Sequence, residues 1–185
     1  MKTLVILAHP DMETSRVNKR WIKELEKYPE KYTVHELYEV YKEGKIDVKR
    51  EQKLIESHGN LVLQFPIYWF NCPPLLKKWL DDVLTYGWAF GSNGGNHLMN
   101  RKVALAVSAG AKQSDYSEDG KYQYTLEQLL IPFKTTLLYC DADYRPFYSF
   151  YGKEEASEAI EEDNEAEDNE LTISTGEYVE FIDAL

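Results

Sequence analysis

The sequence predicts an α/β protein with a doubly wound, five-stranded parallel sheet and helices on both faces. Short apolar runs recur along the chain, and the first of them, residues 3–8 (TLVILA), is continuously apolar, as is typical of a strand buried on both faces. Segments with apolar residues at helical spacing separate these runs. Strands that alternate with helices in this way form parallel sheets that are covered on both sides.

The first half of the chain contains three of the predicted strands. After the strand at residues 3–8, apolar residues recur every three or four positions and predict an amphipathic helix at about residues 16–27. The remaining elements of this half are a second strand at residues 32–37, a helix near residues 47–57 and a third strand at residues 60–65.

The second half continues the alternation. Leu75 to Leu84 keep one helical face apolar, and the preceding pair Pro73 and Pro74 suits a helix start because first-turn amides have no partners there. A further helix carries the apolar residues between positions 126 and 137, and Pro132 either kinks it or sets its start later. The other predicted elements are a fourth strand at residues 102–108, a fifth at residues 144–150 and a short terminal helix at residues 177–184.

Acidic residues are concentrated near the C-terminus. The net charge over 185 residues is −11, but residues 154–185 hold 13 Asp or Glu and no Lys or Arg, so the other 21 basic and 19 acidic residues give +2. Neither part offers the basic surface that nucleic acid requires, and we expect no such partner. The length suits a single domain over residues 1–185 with an acidic C-terminal segment at residues 154–185. Within it, residues 154–170 form either a solvated helix or loop or a docking segment.

The N-terminal residues and the cysteines indicate the compartment. MKTLVILAHP has about six apolar residues before the His-Pro break, too few for a signal peptide and far fewer than the roughly 20 needed to span a bilayer. We therefore expect a cytoplasmic protein without membrane insertion. Cys72 and Cys140 have no metal-ligand spacing between them or with the four histidines, which favours free thiols in a reducing compartment and no metal site.

The loop at residues 8–20 (AHPDMETSRVNKR) follows the first strand and lacks a G-x-G-x-x-G turn. Ligands of doubly wound sheets bind beyond the carboxyl ends of the strands, so this loop is a candidate for a binding site. Ser15 and Asn18 stand where a helix begins, and free amides at the positive end of the helix dipole can hold a phosphate. The Ser15 hydroxyl and the His9 imidazole would be added donors. Alternatively, Ser15 only caps the helix and His9 is structural.

Two more loops follow strands of the same predicted sheet. Residues 66–71 (PIYWFN) contain three adjacent aromatic residues, which can frame a flat heterocycle such as a flavin or nicotinamide. Any one ring could equally belong to the core, but three in a row cannot all point inward from one loop. Residues 108–116 (SAGAKQSDY) are small at their start, and Gly110 allows backbone amides to approach a ligand closely. Amides aimed at a flavin pyrimidine would stabilise the charge that collects there on reduction.

The three loops, in this order, resemble the NAD(P)H:quinone oxidoreductase family of flavodoxin-like flavoproteins. The resemblance covers residues 3–151, and its most specific part is residues 64–91 (QFPIYWFNCPPLLKKWLDDVLTYGWAFG). That stretch is similar almost throughout to the family pattern Q-x-P-x-x-W-x-x-x-P-x-x-L-K-x-W-x-D-x-V-x-x-x-G-x-A-[FY]. The resemblance implies a flavodoxin-like fold.

The resemblance also assigns site residues by position. The phosphate and ribityl loop is similar to the family's at His9, Ser15, Arg16, Val17 and Asn18. The segment along the isoalloxazine is similar at Pro66, Ile67, Tyr68, Trp69 and Phe70. The family usually has Thr-Thr-Gly-Gly where this chain has Ser108, Ala109, Gly110 and Ala111, so those contacts rest more on backbone than on side chains. Trp88, Ala89 and Phe90 resemble the substrate-side wall of the family. In this family that wall often comes from the other subunit of a dimer.

Two tyrosines are the candidate catalytic residues. Tyr116 matches a family tyrosine near the flavin, and the histidine that follows six residues later in the animal enzymes is Tyr122 here. The identity of the proton donor therefore stays open. A phenol with a pKa near 10 remains protonated at neutral pH, so Tyr116 can donate a hydrogen bond to a developing hydroquinone oxygen.

The resemblance implies a two-electron ping-pong reaction in a homodimer. NAD(P)H would pass hydride from its C4 to flavin N5 and leave, and a quinone or similar flat acceptor would then enter the same slot. FMN is the expected cofactor and FAD the alternative, while NADH and NADPH both remain possible. Two other functions also remain open: a flavodoxin-type electron carrier, and an ancillary subunit that contacts a potassium efflux transporter peripherally.

Overall fold

The computed structural model describes residues 1–92, 94–152 and 165–185 of the chain. Its centre is a parallel sheet with the strand order β2-β1-β3-β4-β5, in which β6 also pairs with β4. The strands are β1 (Thr3–Leu7), β2 (Tyr32–Glu36), β3 (Leu61–Pro66), β4 (Lys102–Ala109), β5 (Asp143–Tyr144) and β6 (Tyr148–Tyr151). The helices are α1 (Val17–Leu25), α2 (Leu37–Val40), α3 (Val48–Glu56), α4 (Pro74–Val83), α5 (Leu126–Leu129), α6 (Ile131–Tyr139) and α7 (Glu165–Asp183).

The central strands are apolar because both of their faces are covered. Every residue of β1 and β3 is buried, and successive side chains enter different clusters on the two faces. Leu4 and Ile6 pack with residues of α3, α4 and α6, whereas Val5 and Leu7 pack with residues of α1 and α7. This alternation is the period of two expected of a strand, and it confirms the predicted flavodoxin-like sheet with helices on both faces.

The edge of the sheet differs from the prediction. Instead of one strand at residues 144–150, β5 pairs with the start of β4 and β6 pairs with its end. Residues 145–147 separate the two short strands. Pro146 lies between them and has no amide hydrogen for a sheet ladder, which accounts for the interruption. The fifth position in the sheet is therefore shared by two strands.

Helix boundaries were also only partly predicted. The apolar residues between positions 126 and 137 belong to two helices, α5 and α6, and Pro132 lies in the first turn of α6, as one of the two alternatives required. The second strand was predicted to end at Leu37, but it ends at Glu36 and Leu37 begins the short helix α2. The terminal helix is longer than predicted. It spans Glu165–Asp183, and Leu171 packs in the interior. Residues 154–164 of the acidic segment lie outside the described residues.

Candidate functional site

The loops after β1, β3 and β4 meet at the carboxyl edge of the sheet. They surround an open cavity of about 370 Å³ next to the point where the strand order reverses, between β1 and β3. The cavity is lined by His9, Thr14, Ser15, Arg16, Val17, Asn18, Pro66, Ile67, Tyr68, Ser108, Ala109, Gly110, Phe150 and Gly152. Residues from all three loops singled out by sequence therefore share one cavity.

The first loop brings the start of α1 to this cavity. Arg16 occupies the N-cap position and no side chain caps the helix, so Ser15 does not have the capping role that was its alternative interpretation. Ser15 is buried against the cavity instead. The uncapped amides of the first turn carry the positive end of the helix dipole, which favours an anion at this place. Arg16 also contacts Asp168 of α7 at 3.4 Å, through Nη2 and Oδ1.

His9 is held in one tautomer. Its Nδ1 accepts a hydrogen bond from the Asp11 amide at 3.1 Å, so in the neutral ring the proton is on Nε2. Burial lowers the pKa of His9, and this effect outweighs the nearby Asp11 carboxylate. At neutral pH His9 is therefore a neutral donor through Nε2 at the wall of the cavity.

The second loop is a tight two-residue turn. Tyr68 and Asn71 exchange backbone hydrogen bonds of 2.9 Å in both directions, and the two residues between them have positive φ angles, 47° at Trp69 and 60° at Phe70. This is the geometry of a type I′ hairpin, which normally carries Asn-Gly. Aromatic side chains there are strained, and such strain is concentrated at functional sites.

The three aromatic side chains of this turn do not all enter the core, as predicted. Tyr68 lines the cavity and is 40% exposed, Phe70 is 41% exposed and packs edge-on to Tyr122 at 4.9 Å, and Trp69 is 92% exposed. Pro66 and Ile67 complete the lining from this loop. In the described part of the chain, Trp69 and Phe70 do not line the cavity.

The third loop contributes the small residues Ser108, Ala109 and Gly110 to the same cavity. A Cβ added to Gly110 would meet no atom within 4 Å, so the missing side chain leaves space in the cavity itself. A Cβ added to Gly152 would lie 2.7 Å from the carbonyl oxygen of Gly110, and only glycine lets the end of β6 come this close. Ala111 of this loop is buried and, in the described part of the chain, does not line the cavity.

The two candidate catalytic tyrosines are in contact with each other. The rings of Tyr116 and Tyr122 are 5.0 Å apart, and Tyr116 also contacts Tyr151 at 5.7 Å. Burial, together with these neighbours, raises the pKa of Tyr116 to about 12, so its hydroxyl stays protonated at neutral pH. In the described part of the chain neither tyrosine is among the cavity-lining residues, and their catalytic roles stay predictions.

The predicted substrate-side wall lies elsewhere in the molecule. Trp88 donates from Nε1 to Glu56 Oε1 at 2.7 Å and stacks on His97 at 5.3 Å, while Ala89 is fully buried. Phe90 packs against Tyr139 at 5.2 Å and lines a separate cavity. A single chain does not bring these three residues to the cavity described above, and their role also stays a prediction.

The described residues hold no group of three or more His, Cys, Asp or Glu side chains placed to bind a metal ion. Within the same residues, no helix has both the length and the apolar character to cross a bilayer. Burial raises the pKa of the Cys72 thiol to about 11, and Cys140 is likewise a buried free thiol with a raised pKa.

These features define a doubly wound α/β protein with an open cavity next to the strand switch point, beside an uncapped helix start and without a glycine-rich fingerprint. A family model described as flavodoxin-like fold matches residues 1–171. The chain belongs to this flavodoxin-like family.

Individual relatives agree with this assignment. The chain is similar to the uncharacterized NAD(P)H oxidoreductase YrkL of Bacillus subtilis, with 47% identity over 152 residues, 82% of this chain and 86% of the relative. It is similar to the glutathione-regulated potassium-efflux system ancillary protein KefG of Cronobacter sakazakii, with 38% identity over 75% of this chain and 74% of the relative. A crystal structure of general stress protein 14 from Treponema denticola in complex with FMN superposes with a TM-score of 0.91, at 51% identity over 100% of this chain and 99% of that one.

Sequence reasoning missed several residues that build the site. Thr14, Phe150 and Gly152 also line the cavity. Phe150 could have been found, because it ends the predicted fifth strand and parallel strands end at the same edge. Gln64 is a buried polar residue inside an apolar strand, which is itself a signal of function, whereas nothing in the sequence marks Tyr178 of α7, to which it is hydrogen-bonded.

Proposed function

We propose that this chain is an FMN-dependent NAD(P)H:quinone oxidoreductase built as a single flavodoxin-like domain. The observation that carries the proposal is the one cavity in which the loops after β1, β3 and β4 meet. The FMN complex of general stress protein 14 supports the choice of cofactor, because that protein is 51% identical over the whole of this chain. YrkL, named an NAD(P)H oxidoreductase, supports the class of reaction.

The residues of the cavity fit an FMN molecule in both charge and shape. The start of α1, the Ser15 hydroxyl and Arg16 suit the phosphate, since amides, a hydroxyl and a guanidinium are the donors that bind phosphoryl oxygens. Tyr68 and Phe150 offer flat apolar surface, and the position of Gly110 leaves space that a side chain would fill. Bound FMN supplies a ring that takes up the two electrons of a hydride and passes them to an acceptor.

The chain itself would position the reactants and supply protons. Backbone amides of residues 109–111 would favour negative charge on the reduced cofactor. The protonated hydroxyl of Tyr116 would donate a hydrogen bond to the quinone oxygen as charge develops there, with Tyr122 packed against it. A homodimer would bring Trp88, Ala89 and Phe90 of a second copy to the open side of the cavity.

The direct test is the cofactor and turnover of the purified full chain. We expect a yellow protein that releases FMN rather than FAD on denaturation, identified by chromatography, and that oxidises NADH or NADPH when a soluble quinone is present. Initial rates at several quinone concentrations should give the parallel double-reciprocal lines of a ping-pong reaction. A colourless protein that takes up neither flavin at saturating concentration would contradict the proposal.

A matched pair of variants tests the phosphate end of the cavity. Arg16→Gln should weaken FMN binding by about 5- to 10-fold, because a charged donor is lost beside the phosphate. Lys23→Gln removes the same charge from an exposed position on the same helix and should leave the affinity unchanged. Equal losses of FMN affinity in the two variants would indicate that Arg16 acts only through long-range electrostatics and not by contact with the phosphate.

A second candidate function is that of an ancillary subunit of a potassium efflux system. The observation that favours it is the 38% identity to KefG over three quarters of both chains. Co-purification with a membrane transporter, and altered ion flux when the chain is removed, would support this function. Both functions can coexist, and a protein that binds FMN without oxidising NAD(P)H in the presence of any quinone would favour the ancillary function or an electron carrier.

A further inference from the structure

A chain of four polar side chains joins the C-terminal helix to the cavity. Tyr178 donates from its hydroxyl to Gln64 Oε1 at 2.7 Å, Gln64 donates from Nε2 to Asn18 Oδ1 at 3.0 Å, and Asn18 donates from Nδ2 to Ser108 Oγ at 2.9 Å. We call these four residues the Tyr178 relay. Its first three members are buried in the core, and its last two line the cavity.

The direction of the relay is set mainly by the buried Tyr178 hydroxyl, whose proton needs an acceptor. The backbone carbonyl of Asn18 also accepts from Gln64 Nε2, but at 3.5 Å this contact is long and contributes little to the orientation of the amide. Burial raises the pKa of Tyr178 well above its ordinary value of 10, so its hydroxyl keeps the proton. Among the described residues, Gln64 Oε1 is the acceptor that this hydroxyl reaches.

The relay determines what Ser108 can offer at its open end. Because Ser108 Oγ accepts the hydrogen bond from Asn18, its own proton is available for another acceptor. We propose that Tyr178 is a positioning residue, which acts through Gln64 and Asn18 to make the Ser108 hydroxyl a hydrogen-bond donor to an acceptor atom of the bound flavin. This inference rests on the proposed function, in which FMN occupies the cavity.

Removal of the Tyr178 hydroxyl would release this constraint. Gln64 Oε1 would lose its donor, and an unsatisfied buried acceptor favours rearrangement of its neighbours. If the two amides turn over, Asn18 presents its oxygen to Ser108, and Ser108 then donates its proton to Asn18. Ser108 would then present only the lone pairs of its oxygen to the cavity, where it had presented a hydrogen-bond donor. The substituted residue, Tyr178, lies in α7 and does not line the cavity in the described part of the chain.

A double-mutant cycle tests whether Tyr178 acts through Ser108. The dissociation constant of FMN is measured by flavin fluorescence during titration of the full chain, for the wild type, Tyr178→Phe, Ser108→Ala and the double variant. We expect each single variant to weaken binding by about 5- to 10-fold, the loss of one hydrogen bond. The double variant should bind no more weakly than Ser108→Ala alone, since the relay then has no end group.

Tyr148→Phe is the matched control. Tyr148 contacts Tyr178 and is hydrogen-bonded to Ser174 in the same interface, but it has no bond to Gln64. It should lose stability to unfolding as Tyr178→Phe does while keeping the wild-type FMN affinity. If Tyr178→Phe fails to fold, Gln64→Met interrupts the relay one step further on, and the same cycle with Ser108→Ala applies.

The outcomes separate this inference from the proposed function. The relay would be overturned if the losses of FMN affinity in Tyr178→Phe and Ser108→Ala multiplied in the double variant. Equal losses of FMN affinity in Tyr178→Phe and Tyr148→Phe would also overturn it. In both cases FMN would still bind to the wild type. A wild type that binds no flavin would overturn the proposed function first and the relay with it.

Discussion

Two buried polar clusters lie on opposite faces of the sheet and are built differently. The Tyr178 relay is uncharged and linear, and it ends at the cavity. The second cluster closes on the fully buried carboxylate of Glu51, which is bonded to His35 Nε2 at 2.9 Å, to the Tyr41 hydroxyl at 2.5 Å and to Trp79 Nε1 at 2.8 Å. Its members come from β2, α3 and α4, and Tyr41 follows directly after α2. In the described part of the chain, none of them lines the cavity.

The difference indicates what each cluster does. A buried charge is tolerated only when several donors converge on it, so the Glu51 cluster has no open end and serves to hold elements together. A neutral chain of amides and hydroxyls has a direction, and its open end can act on a ligand. We therefore expect changes in the Glu51 cluster to affect stability and changes in the Tyr178 relay to affect cofactor binding.

The largest effect should come from removing the charge of Glu51. Glu51→Gln places an amide nitrogen against donors, and we expect the free energy of unfolding to fall by about 3 kcal/mol. Urea denaturation measures this change, and FMN affinity should stay within about twofold of the wild type. Glu39→Gln, at an exposed ion pair with Lys42, is the control and should cost less than about 0.5 kcal/mol. A large loss of FMN affinity in Glu51→Gln with intact stability would contradict the division between the clusters.

The stability contributed by the Glu51 cluster should depend on acid pH, whereas that contributed by the Tyr178 relay should not. Burial raises the pKa of Glu51, but the hydrogen bonds from His35, Tyr41 and Trp79 outweigh it and hold the pKa below its ordinary value of 4.5. A lowered folded pKa stabilises the protein above pH 4.5 and loses this contribution as the pH falls through the folded value. The stability gap between wild type and Glu51→Gln should therefore narrow below about pH 4.5, as measured by urea denaturation at several pH values. The gap between wild type and Tyr178→Phe should stay constant over that range.

Removal of the Tyr116 hydroxyl should affect chemistry without affecting cofactor binding. Tyr116→Phe should slow reoxidation of the reduced flavin by a quinone about 10-fold, because a hydrogen-bond donor to the developing charge is lost. Stopped-flow absorbance measures this half-reaction, and FMN should remain bound. Tyr124→Phe removes a hydroxyl from an exposed tyrosine of the same loop and is the control. Identical traces for wild type and Tyr116→Phe would remove Tyr116 from the mechanism.

The smallest effect should be a gain in stability at the aromatic turn. Trp69 has a φ of 47° and almost no buried surface, so Trp69→Asn replaces a strained residue by one that tolerates this conformation. We expect the free energy of unfolding to rise by about 0.5–1 kcal/mol. Quinone turnover should fall if the strain serves function. A variant that gains no stability would show that the turn is not strained.

Much of the fold could be predicted because the central strands are apolar on both faces and the helices are apolar on one. The split edge strand could not, since Tyr144 to Phe150 has strand-like composition and only the position of Pro146 marks the break. The sequence also did not indicate the extra length of α7, because residues 165–170 are strongly acidic and resemble a solvated segment in composition.

The site divides in the same way. The loops after β1, β3 and β4 could be placed together, because parallel strands end at one edge and this geometry requires no detailed contacts. The Tyr178 relay could not be predicted, since Gln64 and Tyr178 lie 114 positions apart in sequence and meet only after α7 packs on the sheet. The predicted wall at Trp88, Ala89 and Phe90 does not line the cavity within one chain, and its role depends on the proposed homodimer.

The exposure of Trp69 also gives the molecule a built-in optical reporter. Of the four tryptophans, Trp21 and Trp79 are completely buried and Trp88 is nearly so, whereas Trp69 is 92% exposed. A neutral aqueous quencher such as acrylamide should therefore extinguish the emission of this indole selectively. The quenchable fraction of the native fluorescence would then report when the aromatic turn becomes covered, whether by a nucleotide, an electron acceptor or another protein surface.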